Sequence, residues 1–275
     1  MSRRRKLKDA GLDAVTLVAV ILLLFPVIWV IVASFKPNSE ILAGGFWPEE
    51  LTFEHYRAIL GRSDFLIALR NSLIVGLASA IVSTLVALPA AYSLARFKYR
   101  GREGFGMLIL STQMLPSVAI LVPLVIVMRS LELSNTLTGL AITHLTLGLP
   151  IAVWMLRGYI AEVPVELEEA AMIDGCSRLG AMVRVVLPLV APAIVAVATF
   201  AFVLSWGEYL LALALISSTD VKTLPLALQA LFDPYSFSWG EVMAGGVVIA
   251  LPAIILFQIV RRYMIGGLVA GGVKG

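Results

Sequence analysis

Charge is what this sequence has least of. Only 14% of its 275 residues are Asp, Glu, Lys or Arg, against about a quarter in an ordinary soluble domain. Cysteine occurs once, at Cys176, which excludes an internal disulfide and offers no thiolate cluster to a metal. The two histidines, His55 and His144, stand at no spacing that suggests a paired acid–base or metal site. A G-x-x-x-x-G-K-[ST] phosphate loop is missing throughout, so nothing in the chain is built to cradle a nucleotide's phosphates. Disulfide scaffolds, metalloenzymes and phosphate-loop hydrolases are therefore set aside.

What the chain has instead is apolar sequence, 60% of it hydrophobic. Because the charges cluster, six uncharged windows open between them: 22 residues at 14–35, 25 at 71–95, 25 at 104–128, 24 at 133–156, 23 at 185–207 and 19 at 242–260. A helix needs about 20 apolar residues to cross a hydrocarbon core of about 30 Å, and it satisfies its own backbone where lipid cannot. The sequence predicts an all-α integral membrane protein forming one transmembrane domain over 1–275. Its spans are placed near 14–35, 71–95, 104–128, 137–157, 187–216 and 242–262. Soluble helices run shorter and carry a charged face.

Lys and Arg set the orientation. With a cytoplasmic N-terminus, the inner side receives Arg3, Arg4, Arg5, Lys6 and Lys8, then Arg96, Lys98, Arg100 and Arg102, then Arg157, Arg178 and Arg184, and finally Arg261, Arg262 and Lys274. That makes fifteen inside against six outside (Lys36, Arg57, Arg62, Arg70, Arg129, Lys222), a positive-inside bias that places both termini in the cytoplasm. The net charge of +3 follows from this topology and does not call for nucleic acid. The first window is too long for a signal h-region and fits an uncleaved anchor.

The connections are unequal. Outside, 34–69 is long and carries Trp47, Pro48, Phe53 and Tyr56 with Glu49, Glu50 and Glu54, while 130–136 is a tight turn. The segment 217–241 holds Pro225, Pro234, Phe232, Tyr235, Phe237 and Trp239. Those aromatics fit either an interfacial belt or a docking surface for an extracytoplasmic partner.

Inside, 161–188 is an exception among basic neighbours. Glu162, Glu166, Glu168 and Glu169 fall within eight residues and Asp174 follows. Pro164 suits a helix start, and the glutamates favour the positive end of the helix dipole. Asp174-Gly175 suits a helix stop, Ser177 an N-cap for a second short helix through 181–186, and Leu187-Pro188 the turn into span five. An acidic knob bearing an alanine pair fits a pocket on a soluble subunit better than anionic lipid.

The pattern Glu169-Ala170-Ala171, Asp174-Gly175 and Leu187-Pro188 resembles the EAA loop of membrane subunits in ATP-binding-cassette importers, the carbohydrate-uptake permeases of the maltose-transporter type. The resemblance covers essentially the whole chain. It includes Phe35-Lys36-Pro37 after span one, Trp206-x-Glu208-Tyr209 late in span five, and the ending Gly267-Leu268-Val269-Ala270-Gly271-Gly272-Val273-Lys274-Gly275. Gly207 departs from it, standing where such permeases usually place asparagine. The resemblance implies a multi-pass subunit of the bacterial cytoplasmic (inner) membrane, forming half of a sugar pathway with a second permease in a heterodimer. Two copies of an ATP-binding subunit would carry the ATP and magnesium, and this chain no cofactor and no ATPase of its own. An extracytoplasmic sugar-binding protein would deliver the cargo. By the same resemblance Glu169, Ala170, Ala171, Asp174, Gly175, Leu187 and Pro188 couple to an ATP-binding subunit as a short coupling helix between spans four and five. Gly267, Leu268, Gly271 and Lys274 reach between the two ATP-binding subunits.

Within the spans, acidic residues are expensive, about 3 kcal/mol at a helix centre, and usually face a cavity or a neighbouring helix. Glu208 fits a cavity-facing or inter-subunit hydrogen bond, or sugar recognition. Trp206, Tyr209, His144, Asn71, Gln113 and Thr143 are the other polar or amphipathic candidates for the pathway or for helix contacts. Pro89, Pro116, Pro123, Pro150, Pro192 and Pro252 fit either gating pivots or the ordinary prolines of membrane helices. Two other classes compete. A secondary transporter or channel not driven by ATP would want ionisable groups at mid-membrane and repeated broken helices. A membrane-embedded enzyme would want paired acid–base or metal groups.

Overall fold

The computed structural model describes residues 3–232 and 237–271, and every regular element among them is helical. In chain order these are α1 (Arg3–Ala33), α2 (Asn38–Ala43), α3 (Glu54–Gly61), α4 (Ser63–Arg96), α5 (Arg102–Ser111), α6 (Ser117–Ser130) and α7 (Leu137–Glu162). There follow α8 (Val165–Ile173), α9 (Arg178–Ala181), α10 (Leu187–Leu189), α11 (Ala191–Trp206), α12 (Leu210–Leu215), α13 (Leu224–Gln229) and α14 (Trp239–Gly271).

Four stretches are continuous helices long and apolar enough to cross a bilayer: Leu12–Ala33, Ser63–Arg96, Leu137–Glu162 and Trp239–Arg261. The other two windows are broken. The pair Arg102–Met114 and Ser117–Ser130 bends by 100°, and the pair Arg178–Leu189 and Ala191–Trp206 by 77°. Span three, expected as one helix over 104–128, is thus an elbow. Leu115 is extended there, with φ −75° and ψ 128°, because the residue before a proline is pushed out of the α region and Pro116 has no N–H to continue the ladder. Span five, expected from 187, begins at Ala191. The turn assigned to Leu187-Pro188 lies instead at Val190 (φ −93°, ψ 7°), just ahead of Pro192, while Leu187-Pro188 stays helical in α10. The same span stops again at Trp206, before α12.

Contacts divide the chain into two compact units, the first comprising Met1–Phe65 and Leu228–Leu251, the second Leu66–Ala227 and Pro252–Gly275. In the first unit Lys36 is almost fully buried, its ammonium donating to the Gly45 carbonyl and lying 5.4 Å over the Trp29 ring, so the charge is met by a dipole and a π-face. His55 shares a 2.8 Å hydrogen bond with the Lys36 carbonyl. Phe35 packs on Phe53 and Tyr56, and Glu40 accepts from the Glu49 and Glu50 amides. Trp47 and Phe53 keep exposed faces, and Phe237 packs against Phe232 and Trp239. Pro234 and Tyr235 lie outside the described residues. A Cβ on Gly240 would fall 2.0 Å from His55 Nε2. Gly240→Ala is expected to cost about 1–3 kcal/mol by overpacking, read as a lowered melting temperature of the detergent-purified protein.

In the second unit α4, α7 and α11 share a core of Ala87, Ala91, Leu94, Val153, Leu156, Ile160 and Val197. Small side chains let the backbones close up, as in other membrane bundles: a Cβ on Gly148 would sit 3.0 Å from Ser83 Oγ and 3.4 Å from Ala201 Cβ. A second cluster joins Val75, Met128 and Leu140 to Leu211, Ala212 and Leu215 of α12.

Candidate functional site

The acidic segment folds as a helix, a stop and a second helical arm. Pro164 caps α8 from outside, and Glu166 and Glu168 occupy its first turn. At the other end Gly175 takes φ +90°. Its amide donates to the Met172 carbonyl at 3.1 Å and the Cys176 amide to the Ala171 carbonyl at 3.0 Å, the paired bonds of a Schellman stop. Ser177 Oγ then accepts from the Gly180 amide at 3.1 Å, starting the second arm, which continues through a π-helical turn at Met182–Val186. The result is a tight elbow with Glu166, Glu169, Ala170, Asp174, Gly175 and Pro188 exposed and Ala171 and Leu187 half-buried. Two large apolar side chains, Ile173 at 86% and Leu179 at 67% exposure, stand out from it.

One member of the expected acidic knob does not belong to it. Glu168 is only 4% exposed. Its carboxylate accepts from Arg96 Nε at 2.5 Å and from Tyr92 Oη at 2.7 Å, and Arg96 Nη2 also donates to the Val163 carbonyl at 2.7 Å. Arg96 and Tyr92 escape sequence reasoning because they lie more than seventy residues away on α4. The available signal is that Glu168 shares a helix face, at i, i+3 and i+4, with Ala171 and Met172, the residues of α8 that are not fully exposed.

At the break after α11, four candidates come together. Glu208 accepts from the Leu211 amide at 3.0 Å through both oxygens and from the Ala212 amide at 3.2 Å, so its carboxylate satisfies the first free N–H groups of α12. His144 Nε2 is 3.5 Å from Glu208 Oε2, too far for a good hydrogen bond, while His144 Nδ1 shares a 2.6 Å bond with Ser205 Oγ. Trp206 is buried and stacked on Phe202 at 5.4 Å, and Tyr209 is the N-cap residue of α12. Gly207 has an ordinary φ of −89°, and a Cβ there would meet only the Val203 carbonyl at 3.7 Å. A side chain can begin at this position, and nothing in the backbone demands glycine.

The remaining candidates go elsewhere. Asn71 is fully buried and donates to the carbonyls of Asp220 and Lys222, both at 2.9 Å, pinning the segment before α13. Gln113, exposed at the span-three elbow, donates to the carbonyls of Thr146 and Leu147. Thr143 donates to the Gly139 carbonyl within its own helix. Gly267, Leu268 and Gly271 continue the backbone of α14, and Lys274 lies outside the described residues. Among the described residues no three metal-ligating side chains converge.

Residues 83–267 match the family model described as "Binding-protein-dependent transport system inner membrane component". A diacetylchitobiose uptake system permease protein of Streptomyces coelicolor is 36% identical over 255 residues, 92% of each chain. A trehalose transport system permease protein of Mycobacterium tuberculosis is 35% identical over 92% of this chain and 93% of its own. The trehalose/maltose transport system permease protein of Thermococcus litoralis is 31% identical over 99% of both. A chain from a bacterial ABC transporter that imports the acidic polysaccharide alginate has the same fold, with a TM-score of 0.80 at 22% identity over 96% of this chain and 98% of that one. A second alginate transporter structure, solved with a pentasaccharide-bound periplasmic protein, scores 0.70 at 14% identity, covering 94% of this chain and 95% of that one.

Proposed function

This chain belongs to the family of binding-protein-dependent transport system inner membrane components, and from that premise we infer that it is a permease subunit of an ATP-driven importer for a sugar or sugar derivative. The relatives named for diacetylchitobiose, trehalose and maltose support the cargo class. The chain spans the bacterial inner membrane several times. It crosses six times, with α5–α6 and α11 completing the four continuous helices and both termini in the cytoplasm. It forms half of the pathway with a second permease. ATP and magnesium sit on two ATP-binding subunits, and a soluble extracytoplasmic protein hands over the sugar.

The observation that carries the mechanism is the elbow around Gly175. It is short and held by its own hydrogen bonds, and it projects Ile173 and Leu179 into solvent. Such a knob fits a cleft in an ATP-binding subunit, where closure of the cleft becomes a displacement of the knob. Alternating access then needs only two arrangements of the spans that cargo and ATP bias in common. Gly267, Leu268, Gly271 and Lys274 are assigned to a contact between the ATP-binding subunits. Glu208 and His144 serve the architecture of the pathway wall, because the carboxylate is committed to the α12 amides.

The test is reconstitution of the complete complex in proteoliposomes with its binding protein. ATP-dependent accumulation of labelled sugar that vanishes when the ATP-binding subunit is omitted is the expected result. Accumulation by the permeases alone would make this a secondary transporter.

A further inference from the structure

We propose that Arg96 and Glu168 are positioning residues that fasten the elbow to the inner end of α4, so that a displacement of the elbow is delivered to α4 in a fixed direction. This rests on the reading of the elbow as the coupling element.

Both arms of the elbow grip the same helix end. On the first arm Glu168 of α8 receives two donors, Arg96 Nε and Tyr92 Oη, from consecutive turns of α4. On the second arm the Arg178 guanidinium of α9 lies 5.1 Å over the ring of Phe97, the residue that follows α4. Phe97 in turn meets the Tyr92 ring edge-on at 5.9 Å. The Arg96 fork also holds the Val163 carbonyl, which caps the end of α7 and precedes α8. One side chain therefore ties α4 both to the entry of α8 and to its first turn.

An ion pair with side chains only 7% and 6% exposed is a poor way to gain stability, since a well-packed apolar pair of similar volume is often as good or better. What two charge-assisted bonds from fixed donors add is direction. An apolar contact allows α8 to roll or slide over α4. A carboxylate held at once by a guanidinium and a phenol does not. The only other acids on α8, Glu166 and Glu169, are exposed, and Glu168 alone is turned inward.

The experiment compares the complete reconstituted complex carrying the parent chain, Glu168→Gln, the apolar pair Arg96→Met/Glu168→Leu, and Arg96→Lys. Sugar accumulated per ATP hydrolysed is measured beside thermal stability and retention of the ATP-binding subunit. The apolar pair is expected to assemble and melt near the parent, yet to move at least about tenfold less sugar per ATP. Glu168→Gln is expected to lose a smaller factor, and Arg96→Lys to recover part of the loss. Full sugar per ATP in the apolar pair overturns the proposal, and so does loss of the ATP-binding subunit from every variant, which would make the pair a folding element only. A second readout does not depend on transport. With Cys176→Ser, a spin label at Ile173 in the purified complex should become more mobile on Glu168→Gln. An unchanged spectrum overturns the fastening. A parent complex without ATP-driven uptake overturns the coupling reading while leaving the label to judge the joint.

Discussion

Gly175→Val is expected to abolish ATP-driven uptake, while Gly175→Asn keeps most of it. The difference comes from backbone conformation alone. A Cβ at this position meets nothing within 4 Å, so there is no clash to blame. The φ of +90° costs an ordinary L residue about 1–2 kcal/mol and a β-branched one more, while asparagine tolerates it. Valine would push the chain out of the left-handed region and break the bonds from the Gly175 and Cys176 amides. The second arm would then leave at a different angle and carry Leu179 away from Ile173. Uptake and ATP hydrolysis, measured together on both variants, check this: uptake should collapse with valine while hydrolysis continues without cargo. Normal uptake by Gly175→Val would remove the elbow from the coupling path.

Glu208→Ala is expected to cost more in stability than any exposed substitution and to leave the apparent affinity for cargo almost unchanged in whatever protein survives. Losing the carboxylate strips α12 of a cap worth about 1–2 kcal/mol and leaves the Leu211 and Ala212 amides unsatisfied. It also removes the negative charge 3.5 Å from buried His144. Glu208→Gln keeps one accepting oxygen and should recover part of the loss. Melting curves of the purified complex and the concentration dependence of uptake separate the two roles. A weakened sugar affinity at unchanged melting temperature would instead make Glu208 a cargo ligand.

Much of this architecture was legible in the sequence. Clustered charges leave membrane-length windows because each buried charge is costly, and that arithmetic needs no partner residue. The same arithmetic is blind to the breaks in spans three and five. Eight prolines lie in those windows, and Pro26, Pro89, Pro150 and Pro252 sit inside continuous helices, so proline alone does not mark a bend. At Pro116 the freed backbone is accompanied by Gln113 reaching carbonyls of α7, a long-range contact that local spacing does not reveal. The elbow's helix stop and cap were written in Gly175 and Ser177, because such motifs are local. The inward turn of Glu168 was hidden, since counting charges treats four neighbouring glutamates alike. Its partner Arg96 counts in the sequence only as one more inner-side positive charge. Asn71 and Glu208, candidates for the pathway or for helix contacts, hold backbone groups distant in sequence in the first case and local in the second.

The close approach of Gly148 to Ser83 and Ala201 has a consequence for how this chain can drift. Lipid asks only that a side chain be greasy, so exposed positions such as Leu85 and Val122 can exchange among leucine, isoleucine, valine and methionine almost freely. The three-helix crossing limits volume, and one added methyl there has to push Ser83 Oγ aside by a few tenths of an ångström. A chain of this kind can rewrite most of its letters and keep its shape, as the 22% identity at a TM-score of 0.80 illustrates. The positions least free to wander are small, silent ones that carry neither charge nor chemistry.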